Sequence, residues 1–232
     1  MKLTRAVMAV GLAVMLGCAA LVTGPTPASA VATISLFDGS NTVTVFDGQV
    51  ASPGQPGDIC PAVGCVSFFA SLGVWTVNVS TGLSSSPIPF MDLNSLDMST
   101  GAGTLKILLG DTDFTLGAGP HQVALGSAIG GTTAGSVTWH SGLNDSNINP
   151  VTSCCDQTGT LYGPLGPGAF SQTNVDHYNA DGTFALALEV NITHTGAGVT
   201  SFDYEGKVPE PATLLLLGFG LVAAGALRRR AA

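Results

Sequence analysis

Apolar and polar residues alternate with period two through most of the chain, and no central segment carries a helical stripe. The clearest run is Phe184, Leu186, Leu188, Val190 and Ile192, with Thr183, Ala185, Ala187, Glu189, Asn191 and Thr193 on the other face. Successive side chains of a strand point to opposite faces, so this run predicts a long, half-buried strand. The same alternation marks Val66, Phe68, Ala70 and Leu72, then Trp75, Val77 and Val79, then Leu105, Ile107 and Leu109. Shorter pieces follow at Val137 and Trp139 and at Phe202 and Tyr204. Asp38-Gly39-Ser40-Asn41, between apolar runs at Ile34 to Leu36 and Val43 to Val45, predicts a hairpin. About nine or ten strands separated by Gly, Ser, Asn and Pro clusters predict an all-β fold, a single antiparallel β-sandwich of jelly-roll-like type. Irregular stretches are expected at Ala51 to Pro61, Ser84 to Leu93 and Ser141 to Gly168, and binding residues collect on such loops.

The two ends break this pattern. At the start, Lys2 and Arg5 precede an apolar run from Ala6 to Val22 and the small residues Ala28-Ser29-Ala30. That order predicts a signal peptide over residues 1–30, exported by the Sec machinery and cut by signal peptidase between Ala30 and Val31. Met15-Leu16-Gly17-Cys18 partly resembles a lipoprotein box, with Met at its first position, and makes a lipid-modified Cys18 the competing start. At the other end, Val208-Pro209-Glu210-Pro211 leads into an apolar run from Ala212 to Leu227 and then Arg228, Arg229 and Arg230. A helix over 212–227 would reach roughly 24 Å, against a hydrocarbon core of about 30 Å, so it spans only marginally. The arginines hold the cytoplasmic side and leave the preceding body outside. Pro209 and Pro211 stop the last strand from running into the span. A permanent tail anchor is the alternative to a segment held briefly and removed.

Pro209-Glu210-Pro211, the Leu-rich run and the arginine cluster together resemble the PEP-CTERM sorting signal of Gram-negative bacteria. The resemblance covers residues 207–232, about a tenth of the chain. It implies processing by an exosortase-type membrane enzyme, a transient stay in the inner membrane, and release to the cell envelope or extracellular matrix beside exopolysaccharide. The body, with Asp92-Leu93-Asn94-Ser95, Thr112-Asp113-Phe114 and Ser201-Phe202-Asp203, is similar to PEP-CTERM cargo domains, which supply no activity to carry over.

Composition limits what the body, residues 31–206, can do. It is the size of one domain. Lys106 is its only Lys or Arg, against fourteen Asp and Glu. Phosphate backbones are bound by cations that release counterions, so this acidic body excludes nucleic acid as a partner. The mean hydropathy of +0.42 is raised by the two apolar ends.

Cys60, Cys65, Cys154 and Cys155 remain once the leader is removed. An even count in an exported domain points to disulfides, and four cysteines allow three connectivities. Cys60 and Cys65 could close a small ring, or the pair could bridge to Cys154 and Cys155; a bond between adjacent Cys154 and Cys155 would be strained, which makes cross-bridges attractive, but the sequence does not choose. Zinc is the alternative, without a C-x2-C spacing or a nearby His pair. Calcium has weak candidates in Asp111 and Asp113, with Asp92, Asn94 and Asp97 as further oxygens; otherwise these residues make turns. No EF-hand fits, because Leu96, Asp97 and Gly103 occupy its fifth, sixth and twelfth positions.

No Gly-x-Ser-x-Gly elbow, His-Glu-x-x-His or phosphate loop is present. His121, His140, His177 and His194 are scattered, and Asp176 and His177, near Ser171, would point to opposite faces of a strand. Glu189 lacks an assignable partner carboxylate for glycoside hydrolysis. No catalytic residue and no cofactor is therefore expected, and the chain reads as a non-enzymatic envelope or matrix protein. A carbohydrate-binding or carbohydrate-active module is the alternative, with Trp75, Trp139 and Tyr162 as stacking platforms. The two tryptophans share apolar faces and fit a core better.

Overall fold

The computed structural model describes residues 31–85, 89–151 and 154–208. It holds eleven strands: β1 Thr33–Phe37, β2 Thr42–Phe46, β3 Cys65–Leu72, β4 Trp75–Ser85, β5 Phe90–Ser99, β6 Gly103–Thr133, β7 Ser136–Asn144, β8 Gln157–Thr158, β9 Tyr162–Leu165, β10 Gly168–His194 and β11 Gly198–Lys207. Every pairing between them is antiparallel. Among the described residues no helix is long and apolar enough to cross a membrane. The expected signal peptide, the Cys18 box, Pro209-Glu210-Pro211, the apolar span 212–227 and the arginine cluster all lie outside the described residues.

Two strands organise the whole. β6, 31 residues, and β10, 27 residues, pair from Gly103 opposite His194 to Thr133 opposite Gly168. One half of this ribbon lies in a front sheet ordered β2-β1-β6-β10-β7, with β8 and β9 on the outer edge of β7. The other half closes a back sheet ordered β3-β4-β5-β11-β6-β10. The ribbon changes sheet where its register shifts at Asp181/Thr183 and Phe184/Leu186, beside Gly182 at φ 93°. Bulges bend a strand and increase its twist, which lets one ribbon serve both layers.

The layers meet through the alternating positions. Ile34, Leu105, Ile107, Leu109, Val137, Trp139, Phe184, Leu186 and Leu188 project from the front sheet, and Phe68, Trp75, Val77, Leu93, Phe202 and Tyr204 from the back, all buried. A Cβ at Gly82 of β4 would enter the side chains of Ile34 and Leu109, so the sheets touch there. Trp139 closes the middle, with ring centroids 4.8 Å from Tyr162 and 5.2 Å from Tyr204.

The expected hairpin forms between β1 and β2, where Asp38 Oδ1 accepts from the amides of Ser40 and Asn41. Three expectations are corrected. Ser84 to Leu93 is mostly strand, with β4 running to Ser85 and β5 starting at Phe90. Ser141 to Gly168 contains the end of β7, β8 and β9. The strand through Phe184 to Ile192 is not half-buried, since Ala185, Ala187 and Glu189 on its second face are covered as well.

Candidate functional site

The cover on that second face comes from the segment after β7, and register explains why it settles there. Thr33, Gly110, Ala187 and Gly142 lie side by side across β1, β6, β10 and β7. This row of small residues leaves a trough on the outside of the front sheet. Pro150 fills the space over Gly110, and Cys154 and Cys155 fill it over Gly142. Asn149 Nδ2 donates to Thr33 Oγ1 at 2.9 Å and to the Val31 carbonyl at 3.0 Å.

The two neighbouring rows carry larger side chains. They are Ser35, Leu108, Glu189 and His140, then Phe37, Lys106, Asn191 and Thr138. Ser35, Phe37, Thr42, Lys106 and Leu108 line a cleft of about 200 Å³. Lys106 Nζ lies 6.0 Å from the Phe37 ring centroid and 3.9 Å from Glu189 Oε2. Asn191 Nδ2 donates to Glu189 Oε1 at 2.9 Å. Burial works against a charged His140, but its hydrogen bond to Cys154 and the Glu189 carboxylate outweigh that and raise its pKa. The cleft thus combines a half-exposed aromatic ring, an ammonium group and two hydroxyl-bearing residues, Ser35 and Thr42, with the body's only Lys or Arg ion-paired to Glu189.

The other candidate groups are built into the fold. His194, buried against Trp75 with ring centroids 4.8 Å apart, bonds Ser99 Oγ through Nδ1 at 2.7 Å and Thr200 Oγ1 through Nε2 at 2.8 Å. Thr200 Oγ1 continues to Thr133 Oγ1 at 2.7 Å. Burial lowers the His194 pKa, so the neutral ring links the two layers. Asp176 points inward, accepting from Tyr162 OH at 3.2 Å and Ser141 Oγ at 3.3 Å. His177 faces out, and Ser171 is six residues along the same strand, on the order of 20 Å away, so these three do not assemble.

Asp111 is buried, with its pKa raised to about 6 by burial, while Asp113, at φ 66°, donates its backbone amide to Asn147 Oδ1 and accepts from Asn147 Nδ2. The two do not converge, and among the described residues no three His, Cys, Asp or Glu side chains gather as a metal site. Asp92 instead meets Asp203 across β5 and β11; burial, then its hydrogen bond to Asp203 and the charges of Asp203 and Glu205, raise it to about 7. Reading β5 alone could not pair these carboxyls, because the pairing depends on a strand a hundred residues away. Hydrogen-bonded carboxyls are also too close for retaining glycoside hydrolysis, which needs about 5–5.5 Å between them.

Cys60 and Cys65 are joined to each other, and Cys154 and Cys155 carry no bridge to them, which overturns the preference for cross-bridges. Trp75 and Trp139 are core residues rather than sugar platforms, and Tyr162 stacks on Trp139.

Fold and surface together define an all-β, antiparallel, two-layered domain with a small, mainly apolar cleft on one face. Its C-terminal tail says more. Residues 207–230 match the family described as the PEP-CTERM protein-sorting motif, so the chain is an exported exosortase substrate, sorted at the membrane. No curated protein matches the chain. Among solved structures, the enzymatically active domain of bacteriophage CBA120 tailspike protein 4 is 9% identical over 60% of this chain and 20% of its own, at a TM-score of 0.35. The Arthrobacter globiformis isomalto-dextranase complexed with panose is 7% identical over 59% and 24%, at 0.28. TmCBM61 in complex with beta-1,4-galactotriose is 8% identical over 56% and 86%, at 0.24. At these TM-scores none of the three bears on the activity or ligand of this chain.

Proposed function

We propose that the chain is a non-catalytic protein of the cell envelope or extracellular matrix. In this reading residues 1–30 are its signal peptide, 31–206 its β-sandwich and 207–232 its sorting signal, with exopolysaccharide as the surrounding partner. The carrying observation is the sorting motif that begins on the last residue of β11. Pro209, Glu210, Pro211 and Arg228 to Arg230 are the residues an exosortase would read, and Ala28 and Ala30 those of signal peptidase. The reading is supported by His194 and Asp176, whose polar atoms are engaged in bonds that join strands.

Expression with and without residues 209–230, in hosts with and without the exosortase, tests it. The full chain is expected to lose mass and leave the membrane fraction only where the enzyme is present. Equal mass and equal cell association in both hosts would refute the processing model.

The cleft beside Phe37 and Lys106 favours a second reading, a carbohydrate-binding module. A half-exposed ring next to an ammonium and hydroxyl-bearing side chains is the chemistry that stacks on a sugar and hydrogen-bonds its hydroxyls.

A further inference from the structure

The segment lying in the small-residue trough ends in Cys154 and Cys155, whose Sγ atoms are 2.6 Å apart. That is within about 0.6 Å of a covalent S–S bond and far closer than unbonded thiols rest. Adjacent side chains of an extended strand point to opposite faces. Cys155 departs from that geometry with a φ of 39°, and both sulfurs come to lie against the same residue, Gly142. With Cys60 and Cys65 already joined, each of these two cysteines has the other as its neighbour. The chain is exported, and exporting compartments favour disulfides.

We propose that Cys154 and Cys155 form a vicinal disulfide that locks the turn lying over Gly142 on the outside of the front sheet. Two thiols give up two protons and two electrons, and the new Sγ–Sγ bond forms through a mixed disulfide. The co-reactant is a protein or small-molecule disulfide of the exporting compartment, whose own S–S bond breaks to leave two thiols. A soft metal held by the same sulfurs fits less well. Among the described residues no three His, Cys, Asp or Glu side chains gather to complete such a site.

The bond would act at a defined place. It would lie over Gly142, beside His140, and close the trough next to the Phe37 and Lys106 cleft. Asn149 and Pro150 hold the start of the segment on the sheet, and the bond would stiffen the turn at its other end.

The test uses the full chain, exported in a host with an intact thiol-oxidising pathway, quenched in denaturant with an alkylating agent and mapped by peptide mass. In molecules whose Cys60–Cys65 bond is closed, the peptide carrying Cys154 and Cys155 should be two hydrogens lighter than the dithiol. It should take up two alkyl groups only after reduction. Alkylation of both without reduction, or a link from either to another cysteine or to glutathione, overturns the proposal. Reduction should also speed amide exchange at Asn147 and Val151 by about tenfold while leaving the centre of β10 unchanged. Unchanged exchange at those two amides would overturn the stiffening role.

Discussion

Replacing Asp97 by Asn should make the domain more stable at neutral and alkaline pH. Asp97 is fully buried on β5, and one oxygen accepts from Ser95 Oγ at 2.7 Å while the other has no partner among the described residues. Burial raises its pKa from 3.8 to about 7, against the lowering effect of Ser95. A tenfold change in proton affinity corresponds to about 1.4 kcal/mol, so the ionised side chain costs the fold on the order of 4 kcal/mol. Below about pH 4 the group is protonated in folded and unfolded chains alike and adds no cost. Between about pH 4 and 7 the unfolded chain releases the proton first, so stability falls as pH rises. Asp111, raised to about 6, and Asp92, raised to about 7, act in the same direction. His194 opposes them, because its lowered pKa makes acid favour the unfolded chain below about pH 6.5.

Asparagine matches the protonated carboxyl in shape and keeps an oxygen for Ser95. Thermal unfolding followed by circular dichroism should therefore show the variant and the parent nearly equal at pH 4.5. At pH 8 the variant should melt higher by roughly 10 °C. Parallel curves for the two proteins between pH 5 and 8, or a variant that melts lower at pH 8, would refute the assignment of that cost to Asp97.

Two other outcomes follow from the packing and the cleft. Trp139→Ala removes the ring that joins Tyr162 and Tyr204 and should cost about 3–5 kcal/mol, read as a lower urea midpoint with an unchanged slope. If the cleft binds sugar, Phe37→Ala should weaken binding of neutral oligosaccharides at least about tenfold in calorimetry while leaving the melting temperature within a few degrees; equal affinity for parent and variant would remove the cleft from the account.

Much of the architecture was legible in the alternation. Phe184 to Ile192, Val66 to Leu72 and Trp75 to Val79 carry their buried face in the sequence, because a strand beside a core repeats every second residue. Register was not legible. Gly110, Ala187 and Gly142 are unremarkable one at a time and form a trough only when three strands align them, so the burial of Glu189 and the docking of Asn149 and Pro150 could not be read. The length of β6 was hidden for a related reason. Asp111-Thr112-Asp113 looks like a loop, whereas Asp111 is taken inward and Asp113 turns out to Asn147 without ending the strand. The cysteine pairing stayed open, with the Cys60–Cys65 ring among the options, because spacing along the chain does not say which loops meet. The sorting signal lay open throughout, since an enzyme reads it as sequence.

The position of β11 ties the timing of folding to that of export. It is the last strand of the body, yet it lies inside the back sheet, bonded to β5 on one side and to β6 on the other. A chain threaded outward from its N-terminus delivers β11 last, so β5 and β6 wait with open edges until the residues just before the tail have crossed. Under such threading the back sheet would close only once the residues beside the sorting signal had crossed. A cut even a few residues before Lys207 would remove hydrogen bonds from the interior of a sheet rather than trim a loose end.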